Sequence, residues 1–313
     1  LGTPYVTVPM LLNAPTGVAW NLIPQPKSGN TPAQTAEITN MLWRATSIVD
    51  SYCHQVLRAT VDNEYLQGPG APRVGIQRGT GNGLLMMRRW PVTQVLAIQT
   101  SPNRSFPRTW STVPAGQYDI VHPLINQYSD SASATMPDGG SSIEVAPGYV
   151  VDWYGRNGQR ILVSYTNGWP HTSLTANATA GATTIQVDDV TGFTGASAFA
   201  YDGASTEPVS ITAVNATTPM QLPNGVGTAQ TGPGTLTLSA PLTYAHLSGV
   251  VVSALPANVL WATVLAAAEQ ALTSGITSIT IQNIPGSETD GGKGTGELAA
   301  MYEVLLDDFR RVV

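Results

Sequence analysis

The chain is poor in charge. Of its 313 residues only 11% are Asp, Glu, Lys or Arg, against about a quarter in an ordinary soluble domain. Lysine occurs twice, as Lys27 and Lys293. The polar surface must therefore be built from Thr, Ser, Asn, Gln and Gly. A net charge of −6 argues against a general nucleic-acid binder. The single cysteine, Cys53, excludes an intrachain disulfide. No run of ~18 apolar residues occurs, so no membrane span is expected. The basic-then-apolar order of a secretory signal is missing from the start. Position 1 is Leu, which reads as removal of an initiator Met.

Acidic residues are also missing locally. Between Tyr65 and Tyr118 there is no Asp or Glu, but there are Arg73, Arg78, Arg88, Arg89, Arg104 and Arg108. That stretch carries +6 and leaves −12 on the rest of the chain. A subunit polarised in this way can stack in an oriented manner against a partner of opposite polarity. Trp90 and Trp110 lie within the same stretch, and Arg with aromatics is the composition of interface hot spots.

What is plentiful is turn-forming residues. Gly (31) and Pro (23) point to many turns and short strands. Five prolines in residues 1–30 read as an extended arm. Thr31-Pro32-Ala33-Gln34 is a helix start, and apolar residues from Ile38 to Leu57 keep helical spacing, predicting a helix ending near Thr60. Residues 61–83 read as a loop. Leu84–Met87 and Val92–Thr100 read as a strand pair, with further strands at Tyr118–Val121, Ser142–Val145, Tyr149–Trp153 and Arg160–Tyr165. From about 171 to 255 the composition shifts to Thr, Ala, Gly and Val in short β-runs, which predicts an inserted all-β module. Pro256 opens a second helix, 276–294 reads as an arm and linker, and a last helix begins near Thr295.

The catalytic constellations fail in detail. Gly286–Lys293 (GSETDGGK) misplaces the lysine of a phosphate loop by one residue and lacks the following hydroxyl. Arg78–Gly83 is glycine-rich but opens into a strand, without the helix N-terminus that holds a phosphate. The four histidines have no metal-pair spacing, so no metal or cofactor is expected. Cys53 and His54 are neighbours on a helix, diverge by about 100°, and cannot chelate together. Asp188-Asp189 and Asp307-Asp308 diverge likewise, and no Gly-x-Ser-x-Gly elbow occurs. The expectation is a non-enzymatic protein.

Four segments follow one another in a telling order. A helix contains Ala45-Thr46-Ser47-Ile48-Val49-Asp50-Ser51-Tyr52-Cys53. Strands follow with Trp90-Pro91-Val92-Thr93-Gln94-Val95. Then come Val163-Ser164-Tyr165-Thr166-Asn167-Gly168-Trp169, and Pro256-Ala257-Asn258-Val259 entering an Ala-rich helix. With 171–255 set aside, this order resembles the head–tail connector (adaptor) family of tailed bacteriophages over about 31–170 and 256–313.

The resemblance implies an α+β fold: a bundle of three main helices with a small antiparallel β-sheet, plus the inserted all-β module of sandwich or barrel type. The division is a 1–30 arm, a 31–170 core, a 171–255 insertion, and 256–313 returning to the core. It further implies a homo-oligomeric ring, expected to be twelve-fold, in the virion at the head–tail interface after assembly in the host cytoplasm. The partners would be the portal protein and a downstream head-closure or tail-completion protein. Double-stranded DNA would pass through non-specifically, and no membrane or cofactor is involved. Candidate interface residues are Arg73, Arg78, Arg88, Arg89, Trp90, Arg104, Arg108 and Trp110, and, near the C-terminus, Leu298, Tyr302, Phe309, Arg310 and Arg311. The alternative is a carbohydrate- or surface-binding decoration protein acting through 171–255.

Overall fold

The computed structural model describes residues 3–16, 18, 20, 23, 31–67, 74–76, 83–101, 108–121, 142–146, 160–273 and 293–310. Four α-helices lie among them: α1 (Val8–Asn13), α2 (Thr31–Cys53), α3 (Ala257–Thr273) and α4 (Lys293–Leu306). They share one apolar core. Helix α2 contributes Ile38, Met41, Leu42, Ala45, Val49 and Cys53, spaced to fall on one face. In α3 the buried alanines Ala262, Ala266, Ala267, Ala268 and Ala271 leave room for α2 and α4 to approach. From α4 come Leu298, Tyr302 and Leu306. Helix α2 stops at Cys53, short of the expected Thr60, because His54 takes a left-handed backbone (φ 55°).

The body also holds two antiparallel sheets. Their strands are β1 (Thr60–Gln67), β2 (Val74–Ile76), β3 (Gly83–Met86), β4 (Val92–Ser101), β5 (Ser111–Thr112), β6 (Tyr118–Val121), β7 (Ser142–Val145) and β8 (Arg160–Asn167). One sheet runs β1-β8-β4-β5, the other β2-β3-β7-β6. Between them Leu66, Leu85, Ile98, Ile143, Ile161, Val163 and Tyr165 form a second core. The strands expected to pair, β3 and β4, therefore lie in different sheets, and Arg88–Pro91 carries the chain from one to the other.

The remaining strands are β9 (His171–Ser173), β10 (Thr184–Val187), β11 (Ser197–Tyr201), β12 (Glu207–Ala216), β13 (Met220–Gln221), β14 (Thr228–Ala229), β15 (Gly234–Leu238) and β16 (Val251–Ser253). Six of them form a sheet in the order β10-β15-β12-β11-β16-β9. Its two edges meet through a Leu174–Val187 bridge and the Thr175 N–H donating to the Gln186 carbonyl, so the sheet curls into a small barrel. Alternate residues point inward: Ile185, Val187, Ala198, Ala200, Val209, Ile211, Leu236 and Leu238 fill the interior with Phe193. Strand β15 passes so close to β12 that a Cβ on Gly234 would sit 2.2 Å from the Asn215 carbonyl oxygen. The β13–β14 hairpin leaves the barrel and covers the outer face of β4, where Leu222 and Ala229 pack on Ala97 and the Asn224 amide donates to Gln99.

The structure corrects two expectations. The chain is mostly β, with sixteen strands in several sheets among the described residues, so a three-helix bundle with a small sheet is not its architecture. The physical reason is plain at β1, a segment whose sequence reads as loop. Asp62, Asn63 and Glu64 hide its strand character, yet all eight residues pair with β8 and add a strand to the body. The second correction is the N-terminal arm. It holds a helix, and Tyr5, Val6, Leu11, Val18, Trp20 and Ile23 are buried in the helical core. The predicted strand at 149–153 and residues 276–292 of the predicted arm and linker lie outside the described residues.

Candidate interaction surface

The sequence-derived surface separates into pieces. Arg73, Arg78, Arg104 and Arg311 lie outside the described residues. Arg88 and Arg89 stand on the corner between the sheets, Arg88 3.5 Å from Glu64 and Arg89 3.4 Å from Asp62. Glu64 is held by the corner itself, accepting from the Arg88 N–H at 3.0 Å and the Tyr165 hydroxyl at 3.1 Å. Arg88 remains well exposed, at 65% of its side chain. Trp110 pairs with exposed Tyr65 of β1 at 6.1 Å.

Leu298, Tyr302 and Phe309 do not present themselves to a partner. All three are buried in the chain's own helical core. The reason is α4, whose apolar stripe packs on α3. What the C-terminal turn does instead is tie itself to the corner. The Trp90, Trp169 and Phe309 rings form an edge-on series at 6.0 and 5.6 Å. The Gln55 side chain accepts from the Trp90 N–H and donates to the Phe309 carbonyl. Arg310 sits over the Tyr52 ring at 5.4 Å, while the Tyr52 hydroxyl donates to Asp307 at 2.7 Å. That bond to a carboxylate, with some burial, pushes the Tyr52 hydroxyl up to about 12. The outward face of α4 carries Met301 and Val304, with Glu297 and Glu303 exposed beside them.

Two buried polar clusters escape any reading of the sequence, because most of their bonds span 36 to 167 positions. The first is a seam between the N-terminal segment, α2 and the barrel. Tyr5 donates to Asp50 at 2.5 Å and accepts from the Leu57 and Arg58 N–H groups at 3.0 and 3.2 Å. Burial raises the Asp50 carboxyl, and burial together with Asp50 raises the Tyr5 hydroxyl. Beside them His171 lies with Nδ1 2.9 Å from Ser253 Oγ and Nε2 2.9 Å from the Pro4 carbonyl oxygen. A carbonyl oxygen only accepts, so Nε2 carries the proton and Nδ1 accepts from Ser253. Burial holds this imidazole down at about 4, so it is neutral at pH 7. Ser253 is fully buried and His171 nearly so, which leaves a substrate no access to the serine hydroxyl.

The second cluster closes the barrel's 202–207 and 242–248 segments. Nothing in the spacing of the histidines points to it. His246 is buried, with Nδ1 2.9 Å from Asp202 and Nε2 2.9 Å from Glu207. Glu207 also accepts from the Thr243 and Tyr244 N–H groups at 2.8 and 3.0 Å. Burial would raise its carboxyl, but the Tyr244, Thr243 and His246 donors outweigh burial and bring it to about 2. Burial pushes the Cys53 thiol up to about 12, which leaves almost no thiolate at neutral pH. Among the described residues no group of three His, Cys, Asp or Glu side chains could hold a metal ion, and no helix is long and apolar enough to cross a membrane.

No protein-family model, curated protein or solved structure matches the chain.

Proposed function

We propose that this chain is a structural subunit of a tailed-phage particle, forming a ring adaptor between the portal vertex and the tail through which DNA passes. The observation that supports this most is where the four ordered segments meet. The Gly168 N–H donates to the Pro91 carbonyl at 2.9 Å, the Trp169 N–H to Leu57 at 2.9 Å, and the Ala59 N–H to Trp169 at 2.7 Å. The Trp169 ring lies in the same core as Val49 and Cys53 of α2 and Val259 of α3. Segments on either side of the 171–255 module are thus one packed unit, as an adaptor core interrupted by an insertion requires. The uneven charge adds to this, with Arg88 exposed on one corner and acids on the outer face of α4.

In this reading the helices and paired sheets are the ring-forming body, and the barrel is an added outward module. DNA passage needs no base-reading groups, which suits a chain of low charge. The test is electron microscopy of the full chain mixed with portal protein. Closed rings seated on the portal are the expected result. A chain that stays monomeric and leaves the portal bare overturns the reading.

A further inference from the structure

The β13–β14 hairpin ends in a tip at 222–227, where the Leu222 N–H donates to the Gly227 carbonyl at 2.9 Å. At this tip stands Asn224-Gly225. Asn224 is exposed and takes a left-handed backbone (φ 59°, ψ 15°). Asparagine is a thermolabile residue, and a following glycine makes it more so. Glycine has no Cβ to hinder its nitrogen and its backbone turns freely. That nitrogen can attack the side-chain carbonyl carbon of the asparagine before it. Among the described residues two such pairs occur, Asn167-Gly168 and Asn224-Gly225.

The two pairs have opposite surroundings. Asn167 is fully buried. Its Nδ2 donates to the Thr60 carbonyl at 3.2 Å and to Asp62 at 2.9 Å, and its Oδ1 accepts from the Thr60 hydroxyl at 3.2 Å. The Gly168 N–H donates to the Pro91 carbonyl at 2.9 Å. Amide and nucleophile are both fixed there, away from water. At the hairpin tip the Asn224 Nδ2 donates to Gln99 Oε1 at 2.9 Å, and the Gly225 N–H makes a longer bond of 3.3 Å to the Leu222 carbonyl. The contact with Gln99, together with Leu222 and Ala229 packed on Ala97, holds the tip on β4.

We propose that Asn224 is a site of spontaneous deamidation and that its bond to Gln99 is the brake on the reaction. The Gly225 nitrogen forms a bond to Asn224 Cγ and gives up its proton. The Cγ–Nδ2 bond breaks, and Nδ2 leaves as ammonia with a proton gained. The product is a five-membered succinimide. Water then opens one of its two carbonyl–nitrogen bonds, leaving aspartate or isoaspartate. The balance is one water consumed and one ammonia released, with no oxidant and no metal. In the closed hairpin a ψ of 15° turns the Gly225 nitrogen away from Cγ. The ring therefore closes only when the tip lifts from β4, a local opening of low cost at a loop tip. Aspartate lacks the Nδ2 donor that Gln99 accepts from, and isoaspartate also lengthens the main chain at the tip by one carbon. Either product loosens the hairpin from β4, so the reaction is a slow, one-way release of this contact between barrel and body. It belongs to the single chain and does not rest on the ring reading.

The test is incubation of the full-length chain in mildly alkaline buffer, folded and in urea, followed by peptide mass mapping and isoaspartate detection. In the folded chain the Asn224 peptide should take up the mass change of amide to acid, as a mixture of aspartate and isoaspartate. The Asn167 peptide should stay unchanged there, and both should convert in urea. Gln99→Ala removes the acceptor and should speed conversion at Asn224 about fivefold, the worth of one ordinary hydrogen bond. Gln99→Glu keeps an acceptor and should leave the rate near that of the unaltered chain. Asn167 reports in each variant whether the body stays closed. Should Gln99→Ala open it, Leu222→Ala carries the same test, because it loosens the hairpin from its own side and should also speed the reaction. Asn224 converting no faster than Asn167 in the folded chain overturns the site. A rate unchanged by loosening the tip overturns the brake.

Discussion

His171 and His246 are both buried, yet their surroundings are opposite. His171 sits at the seam between the N-terminal segment, α2 and barrel, among neutral partners: a serine hydroxyl and a backbone carbonyl. His246 sits inside the barrel's own loops, between two carboxylates. Each ring nitrogen of His246 faces a carboxylate oxygen, Asp202 on one side and Glu207 on the other. A proton on His171 Nδ1 would require the Ser253 hydroxyl to turn from donor to acceptor. The barrel loops are thus held around the Glu207 carboxylate and the seam by a neutral imidazole, and acid acts on them differently.

The largest expected effect breaks the barrel side of this contrast. Glu207→Ala leaves His246 facing a single carboxylate, and the part-buried Thr243 and Tyr244 N–H groups without their acceptor. It should cost about 3–5 kcal/mol. Hydrogen exchange should show the loss in 197–253 and leave α2 and α3 protected. Protection unchanged throughout would mean that the cluster contributes little.

Next in size is the seam's response to acid. The folded state holds His171 at about 4, below its ordinary 6.5. Its contribution is therefore fully present above pH 6.5 and is lost as pH falls toward 4, a total of about 3 kcal/mol. Asp50, raised by burial, works in the opposite sense and offsets part of this at the acid end. Glu207, at about 2, keeps its contribution above its ordinary 4.5 and loses it progressively as pH falls from there toward 2. Urea titrations from pH 7 to 4.5 should show the helical body weakening first while the barrel holds. His171→Gln should flatten the body's slope between pH 6.5 and 4.

Gly168→Ala is comparable at the seam. Its φ is +80°, and an added Cβ would stand 2.7 and 2.6 Å from the Leu57 and Arg58 carbonyl oxygens, so the change should cost about 3 kcal/mol. Thermal unfolding should show it in the body transition. Tyr5→Phe should cost less, about 1–3 kcal/mol, by removing the hydroxyl that serves Asp50, Leu57 and Arg58. The smallest effect is expected from Arg44→Ala, which breaks an exposed pair with Glu37 at 2.8 Å and should shift stability by under ~1 kcal/mol.

Local elements are legible where periodicity or turn chemistry carries them. The Thr31-Pro32 start of α2, the strands at 118–121 and 142–145, and the Pro256-initiated α3 all appear in the structure. What the sequence hides is long-range pairing. Glu64 looks like a loop residue until Arg88 and Tyr165 are seen bonding to it. Five prolines in residues 1–30 suggest an extended arm, but Tyr5, Leu11 and Trp20 find an apolar dock made by later segments. In the candidate surface, Leu298, Tyr302 and Phe309 share the spacing of a helix face, and spacing alone does not tell an inward face from an outward one. The surface position of Arg88 is within reach of sequence reasoning; the Trp90–Trp169–Phe309 series, joining residues up to 219 positions apart, is not.

Native mass spectrometry of the full chain with portal protein tests the central proposal most directly. The expected result is a single closed assembly, twelve-fold in copies of the 32.8 kDa chain, bound to the portal. A chain that remains at 32.8 kDa at every concentration, with the portal unoccupied, would contradict it.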